Sequence, residues 1–196
     1  MGIKVLVGYL GTGIGSYYLS KKERLSSSSP LLAIVTGSAI GTFCYWRNPQ
    51  AVLQLCAKSA AVLLPTFVHI DAKHFIVNSL ALALFWIPSC DNLGAAGSAC
   101  VFGVSAITVN VANNLFGKSH GSITVGSSGA VAAIISSVLA VDSFGPIDAP
   151  FGAIGLVISS LIMLITNRHF SITNHLSHFV GASLGIVVSV AKPKQL

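Results

Sequence analysis

The sequence predicts an all-α, polytopic membrane protein, and three features carry that prediction. Of its 196 residues only 8% are charged while 53% are hydrophobic, and the mean hydropathy is +0.81. A water-exposed surface needs roughly a quarter to a third charged residues, which eleven Lys and Arg with five Asp and Glu cannot supply. Apolar stretches close to the ~20 residues that a helix needs to cross a bilayer recur along the whole chain, each closed by charge, proline or a polar cluster. Disorder and collagen-like repeats are excluded by the same composition. The formal charge of +6 is scattered among the ends of the apolar runs, so it belongs to membrane flanks, and no nucleic-acid partner is expected.

The first run, residues 3–19, contains Gly8, Gly11, Gly13 and Gly15 and stops at Lys21, Lys22, Glu23 and Arg24. It has no small-residue cleavage site before the lysines, which argues for a spanning helix over a cleaved secretory signal, with a short targeting segment as the alternative. Ser26 to Ser29 and Pro30 form a linker. The second run, 31–46, ends at Trp46 and Arg47, an aromatic and cationic pair suited to a membrane interface. Residues 51–68 are apolar but carry Lys58 and Pro65 and lead directly into His69, Asp71, Lys73 and His74. An interfacial or re-entrant loop fits them better than a crossing, because irregular backbone is tolerated at membrane depth when it is buried against protein. Runs at about 70–88, 93–116, 125–144, 150–167 and 173–191 complete the chain, the last followed by Lys192 and Lys194. Seven crossings result. Cys44, Cys56, Cys90 and Cys100 have neither Cys-x-x-Cys nor Cys/His spacing, so they are expected to be packed thiols with no metal site.

Polar side chains inside such runs are costly, so each is a functional candidate. His74 and Asn78 in HIDAKHFIVN are four apart and share a helix face. Both can donate hydrogen bonds, and taken alone the pair also fits polar contact between helices. Gly126-Ser127-Ser128-Gly129-Ala130 marks a loop entering a helix, where free N–H groups and the positive end of the dipole favour an anion forming at Ser128. In NHLSHFVGASLG, Gly181 and Gly185 make a groove that permits close contact with another small-faced helix such as the one beginning GSSGA. His178 lies just before that groove, where a neutral imidazole could take the proton of a serine hydroxyl. A hydrogen-bonded core histidine is the bland alternative there.

Taken in order, His69-x4-His74-x3-Asn78, Gly126-x-Ser128-Gly129-Ala130 and His178-x2-Gly181-x3-Gly185 resemble the rhomboid intramembrane serine proteases, over about residues 31–190. FCYWRNP, TFVHIDAKHFIVN and the shape of Asn174-His175-Leu176-Ser177-His178 are similar to the mitochondrial, presenilin-associated rhomboid-like branch. The resemblance implies a six-helix core at 31–196, preceded by an N-terminal transmembrane helix and linker at 1–30, the 1+6 arrangement. It implies a serine endopeptidase with Ser128 as nucleophile and His178 as general base, and an oxyanion hole made by His74, Asn78 and the backbone N–H of Ser128. Neither metal nor cofactor is implied. The partners would be transmembrane protein substrates and the lipid bilayer, with no partner subunit specified, and the location would be the mitochondrial inner membrane.

The likeness has departures. Where the family often places a Tyr or Phe that stacks on the catalytic imidazole, this chain has Ala132, so slow turnover is expected, with Phe179 or His175 as a substitute brace. A second function from a different class follows from the same resemblance: a catalytically weak or inactive rhomboid-like protein that binds transmembrane helices in quality control or translocation. The presence of both Ser128 and His178 favours the protease. A channel or transporter would require charges inside several runs, and those are absent.

Overall fold

A computed structural model describes residues 29–58, 62–117, 125–143 and 172–191. The expected runs at 3–19 and 150–167 lie outside these residues. The described chain is helical, with no strand among the described residues: α1 (Ser29–Arg47), α2 (Pro49–Cys56), a 3₁₀ turn (Leu64–Phe67), α3 (Ala72–Gly117), α4 (Ser128–Ser143) and α5 (Ile172–Ala191).

Helix α1 turns Leu32, Ile40, Phe43 and Trp46 outward and buries Ser38 and Thr42. Such a distribution would be unstable in water and is natural where lipid covers the outer face. Gly37 and Gly41, one turn apart, make room for the 3₁₀ turn: a Cβ on Gly37 would lie 3.3 Å from the Phe67 ring, and one on Gly41 would strike the Phe67 carbonyl. Asn48 then caps α2, its Oδ1 accepting from the Ala51 N–H at 3.2 Å, with Pro49 in the first turn. With eight residues, α2 is about 12 Å long, too short to cross a bilayer. It buries Val52 and Cys56 beside Val68 and Val125, and this burial pushes the Cys56 thiol up.

Helix α3 has 46 residues, more than twice one crossing, and is broken at Gly94, whose φ of 76° and ψ of 162° suit glycine alone. The Ser89 and Ser98 hydroxyls meet at 2.8 Å, although nine residues of straight helix would hold them about 13 Å apart. The chain therefore doubles back at Gly94 into two antiparallel arms, which the sequence reads as the runs 70–88 and 93–116. Pro88, without an N–H to give, sits where the first arm is ending.

Helix α4 fills the space between those arms. Ala130, Val131, Ala133 and Ile134 join Leu82, Trp86, Ile87, Cys90, Val101, Phe102 and Ala106 in one core. Helix α5 lies along α4 at backbone contact, because Cβ atoms on Gly181 and Gly185 would strike the carbonyl oxygens of Gly129 and Ala133. Hydrogen bonds follow the same line, from Ser136 Oγ to the Ala182 carbonyl at 2.9 Å and from Ser189 Oγ to the Ser137 carbonyl at 3.0 Å. Residue numbers rise together in both helices, so α4 and α5 are parallel. The thiols divide: Cys56 and Cys90 are buried, whereas Cys44 and Cys100 are exposed. This corrects the expectation of four packed thiols, since a helix whose outer face meets lipid can carry a thiol there without packing it against protein.

Candidate active site

The polar residues of the three sequence sets that the structure describes gather at one end of this bundle, where α1 ends, the stretch 62–70 lies, α3 both begins and ends, and α4 and α5 begin. The loop entering α4 is fixed first. Gly126 has a φ of +125°, and a Cβ there would meet His74 Cε1 at 2.7 Å, so both conformation and space require glycine. Its N–H donates to the Pro65 carbonyl at 2.8 Å, and the Ser127 carbonyl accepts from the Val131 N–H at 2.9 Å. Ser127 is thus the N-cap of α4 and Ser128 the first helical residue, whose amide has no acceptor within the helix. Ser127 is buried and Ser128 half-buried.

His69 occupies the centre of this end with none of its surface exposed. Its N–H donates to Thr42 Oγ1 at 3.2 Å, its Nδ1 lies 3.2 Å from the same hydroxyl, and its Nε2 lies 3.1 Å from Ser127 Oγ. Burial, together with the neighbouring His74, pushes His69 down to about 4 against the opposing pull of Asp71. The ring is therefore neutral at pH 7, with one N–H, so it donates to one hydroxyl and accepts from the other. Through it α1 is tied to the cap of α4. Trp46 Nε1 donates to the Ile70 carbonyl at 3.1 Å and ties α1 to the same stretch.

His74 stands in the first turn of α3, its N–H held by Asp71 Oδ1 at 2.7 Å, an N-terminal cap that fixes where the helix starts. Its ring stands edge-on to His69, centroids 5.1 Å apart at 73°, and covers Gly126, two residues before Ser128. Asn78 is one turn along, 6% exposed, and its Nδ2 donates to the His74 carbonyl at 2.9 Å. An amide nitrogen has two protons, so this bond leaves one for another acceptor. His178 is half-buried on α5. A Cβ on Gly129 would lie 2.9 Å from the Ser177 carbonyl, and one on Gly181 would strike the Gly129 carbonyl. The turn 177–181 that carries His178 therefore lies on the residue next to Ser128.

A family described as the Rhomboid domain matches residues 57–194. The chain belongs to the rhomboid family. The match contains α3, α4 and α5 with His69, His74, Asn78, Ser127, Ser128 and His178, and with the apolar helices it makes this rhomboid an integral membrane protein of a family that typically comprises intramembrane serine proteases. No curated protein and no solved structure matches the chain.

Phe179, offered by the sequence as a brace beside His178, presents most of its surface outward. It is 57% exposed, because consecutive helical residues project about 100° apart and the residue after His178 turns outward. The side chain of His175 lies outside the described residues. Several polar residues at this end were not anticipated as participants: Thr42, Thr66, Ser127, Asn110, Asn113 and Ser177, all buried. Asn110 Nδ2 donates to the Val62 carbonyl at 2.6 Å and to Thr66 Oγ1 at 2.9 Å, and Ser177 Oγ donates to Asn113 Oδ1 at 3.0 Å. Asn110 and Asn113, within the apolar run 93–116, were the available signal, since an amide at membrane depth demands a partner.

Proposed function

We propose that this rhomboid is a serine endopeptidase that cleaves transmembrane segments of membrane proteins with a Ser128–His178 dyad. The observation that carries the reading is the contact of Gly129 with the Ser177 carbonyl and Gly181, which sets the turn bearing His178 against the turn bearing Ser128. In this mechanism neutral His178 takes the proton from Ser128 Oγ as that oxygen attacks the substrate carbonyl. The oxyanion is met by the Ser128 N–H, by His74 above Gly126 and by the remaining amide proton of Asn78. His178 then gives its proton to the departing amine. Water, deprotonated by the same imidazole, hydrolyses the acyl-enzyme and returns Ser128 to its starting form. No metal or cofactor enters these steps.

Finer readings belong to the same proposal. FCYWRNP, TFVHIDAKHFIVN and the 174–178 pattern support the presenilin-associated rhomboid-like branch and, with it, the mitochondrial inner membrane. The runs at 3–19 and 150–167 support the 1+6 topology, with an N-terminal helix and linker at 1–30 and the six-helix domain at 31–196. The second reading, a rhomboid that binds transmembrane helices with little or no cleavage, is favoured by Ala132, which supplies no ring beside the base. One experiment separates the two. Wild type and Ser128→Ala are reconstituted in liposomes with single-span substrates; the protease reading expects cleavage by the first and none by the second. Binding of the same substrates by both proteins without cleavage by either would establish the alternative.

A further inference from the structure

We propose that Asn113 and Ser177 are positioning residues for the general base, their hydrogen bond fixing the rotation of α5 so that His178 faces Ser128. The inference rests on the dyad reading. Ser177 immediately precedes His178, its hydroxyl donates to Asn113 Oδ1 at 3.0 Å, and the two residues are 3% and 7% exposed. Asn113 belongs to the last turns of α3, a third helix outside both the α4 and α5 chains.

The need for such a bond follows from how α5 is otherwise held. Its contact with α4 runs through Gly129, Gly181, Ala133 and Gly185, and small-residue contacts are van der Waals surfaces that set how closely two helices approach but resist rotation weakly. The directional bonds between α4 and α5, at Ala182 and Ser189, lie one turn or more beyond His178, whereas the Ser177 bond lies beside it. A hydrogen bond is directional, and in apolar surroundings leaving its partners unmade is costly. Side chains stand about 5–6 Å from the helix axis, so a rotation of about 10° displaces an imidazole by about 1 Å, a misplacement that typically costs about a hundredfold in rate. Asn110, one turn earlier on the same arm, holds Val62 and Thr66, and the Pro65 carbonyl between them holds Gly126. One stretch of α3 thereby braces the loop before the nucleophile through Asn110 and the helix of the base through Asn113.

The test uses the full chain in liposomes with a fluorogenic single-span substrate, reading kcat and KM separately, and thermal midpoints to establish folding. Ser177→Ala and Asn113→Leu are each expected to lower kcat by about ten- to hundredfold with KM within about twofold. The double variant should fall no further than the worse single one, because both remove the same bond. Asn113→Asp keeps an acceptor oxygen in place and should restore kcat to within about threefold of wild type. Should Asn113→Leu fail to fold, Ser177→Ala, which removes a single oxygen, decides alone. A folded Ser177→Ala with wild-type kcat overturns the inference, as does a double variant whose losses simply add. An active wild type with a dead His178→Ala accompanies either result if the dyad reading holds. A wild type without activity, or a fully active His178→Ala, removes that reading and this inference together.

Discussion

Asn78 gives one amide proton to the His74 carbonyl at 2.9 Å, and the proposed mechanism uses the other only when an oxyanion forms. Asn78→Ala is therefore expected to lower kcat by about a hundredfold or more, with KM and thermal midpoint little changed; an Asn78 that merely joins turns of α3 would show the opposite split. His69 carries a different consequence. Its folded-state value of about 4 lies below the ordinary 6.5, so between those two pH values the unfolded chain binds a proton that the folded chain refuses. Stability is complete above about pH 6.5 and is lost as pH falls toward 4, by on the order of 3 kcal/mol in all. A thermal-midpoint profile in detergent should show this loss in wild type and a flatter profile in His69→Gln, with Thr42 and Ser127 still within reach of a polar side chain. Ser127, as the partner of His69 Nε2, should fall between nucleophile and bystander: Ser127→Ala should retain cleavage and lose stability.

At the level of elements, the α4–α5 crossing is the tightest glycine contact among the described residues. A Cβ at Gly181 would strike the Gly129 carbonyl, and neither atom belongs to a side chain that can swing away. Gly181→Ala should then drive the helices apart, separating Ser128 from His178, and it is expected to abolish cleavage and lower the thermal midpoint steeply. Gly103, in the second arm of α3, has no atom within 4 Å of the corresponding Cβ. Gly103→Ala should be neutral or slightly stabilising, by up to about 1 kcal/mol, which makes it the control for glycine replacement as such. This crossing was legible in the sequence, because a four-residue repeat of small side chains is a local pattern. The reading of 51–68 as a non-crossing loop came from Lys58 and Pro65, which interrupt that run, and the eight-residue α2 within it is too short to cross. The bonds of Thr42 to His69 and of Ser177 to Asn113 were not legible. They join residues 27 and 64 apart, whereas spacing rules register only neighbours on the same helix, and their partners are set by which helices the fold brings together.

For the whole molecule, the orientation of the described helices dictates a path. Pairing places Val109 beside Gly129 and Ser89, Ser98 and Ser137 together, so the second arm of α3 is antiparallel to α4, and α1 ends where α4 begins. Parallel α4 and α5 begin at one end of the bundle and finish at the other. A chain leaving α4 must therefore return the full length of the bundle before entering α5, and the apolar run 150–167 is the segment we propose for that return crossing. Counting from α1 to α5, six crossings then bring residue 195 back to the side of residue 25, while a spanning 3–19 puts the amino terminus opposite. Single cysteines at positions 2, 25 and 195 on a cysteine-free background, labelled with a membrane-impermeant maleimide, should report 25 and 195 together and 2 alone. Labelling of 25 and 195 from opposite sides would mean that 150–167 does not cross or that the 49–68 segment does. Position 2 labelling with position 25 would reduce the protein to its six-helix core. With the candidate site at the end where α1 finishes, the same experiment assigns its side: it faces away from residues 25 and 195, so a substrate cleaved there must present its scissile bond to the compartment that labels position 2.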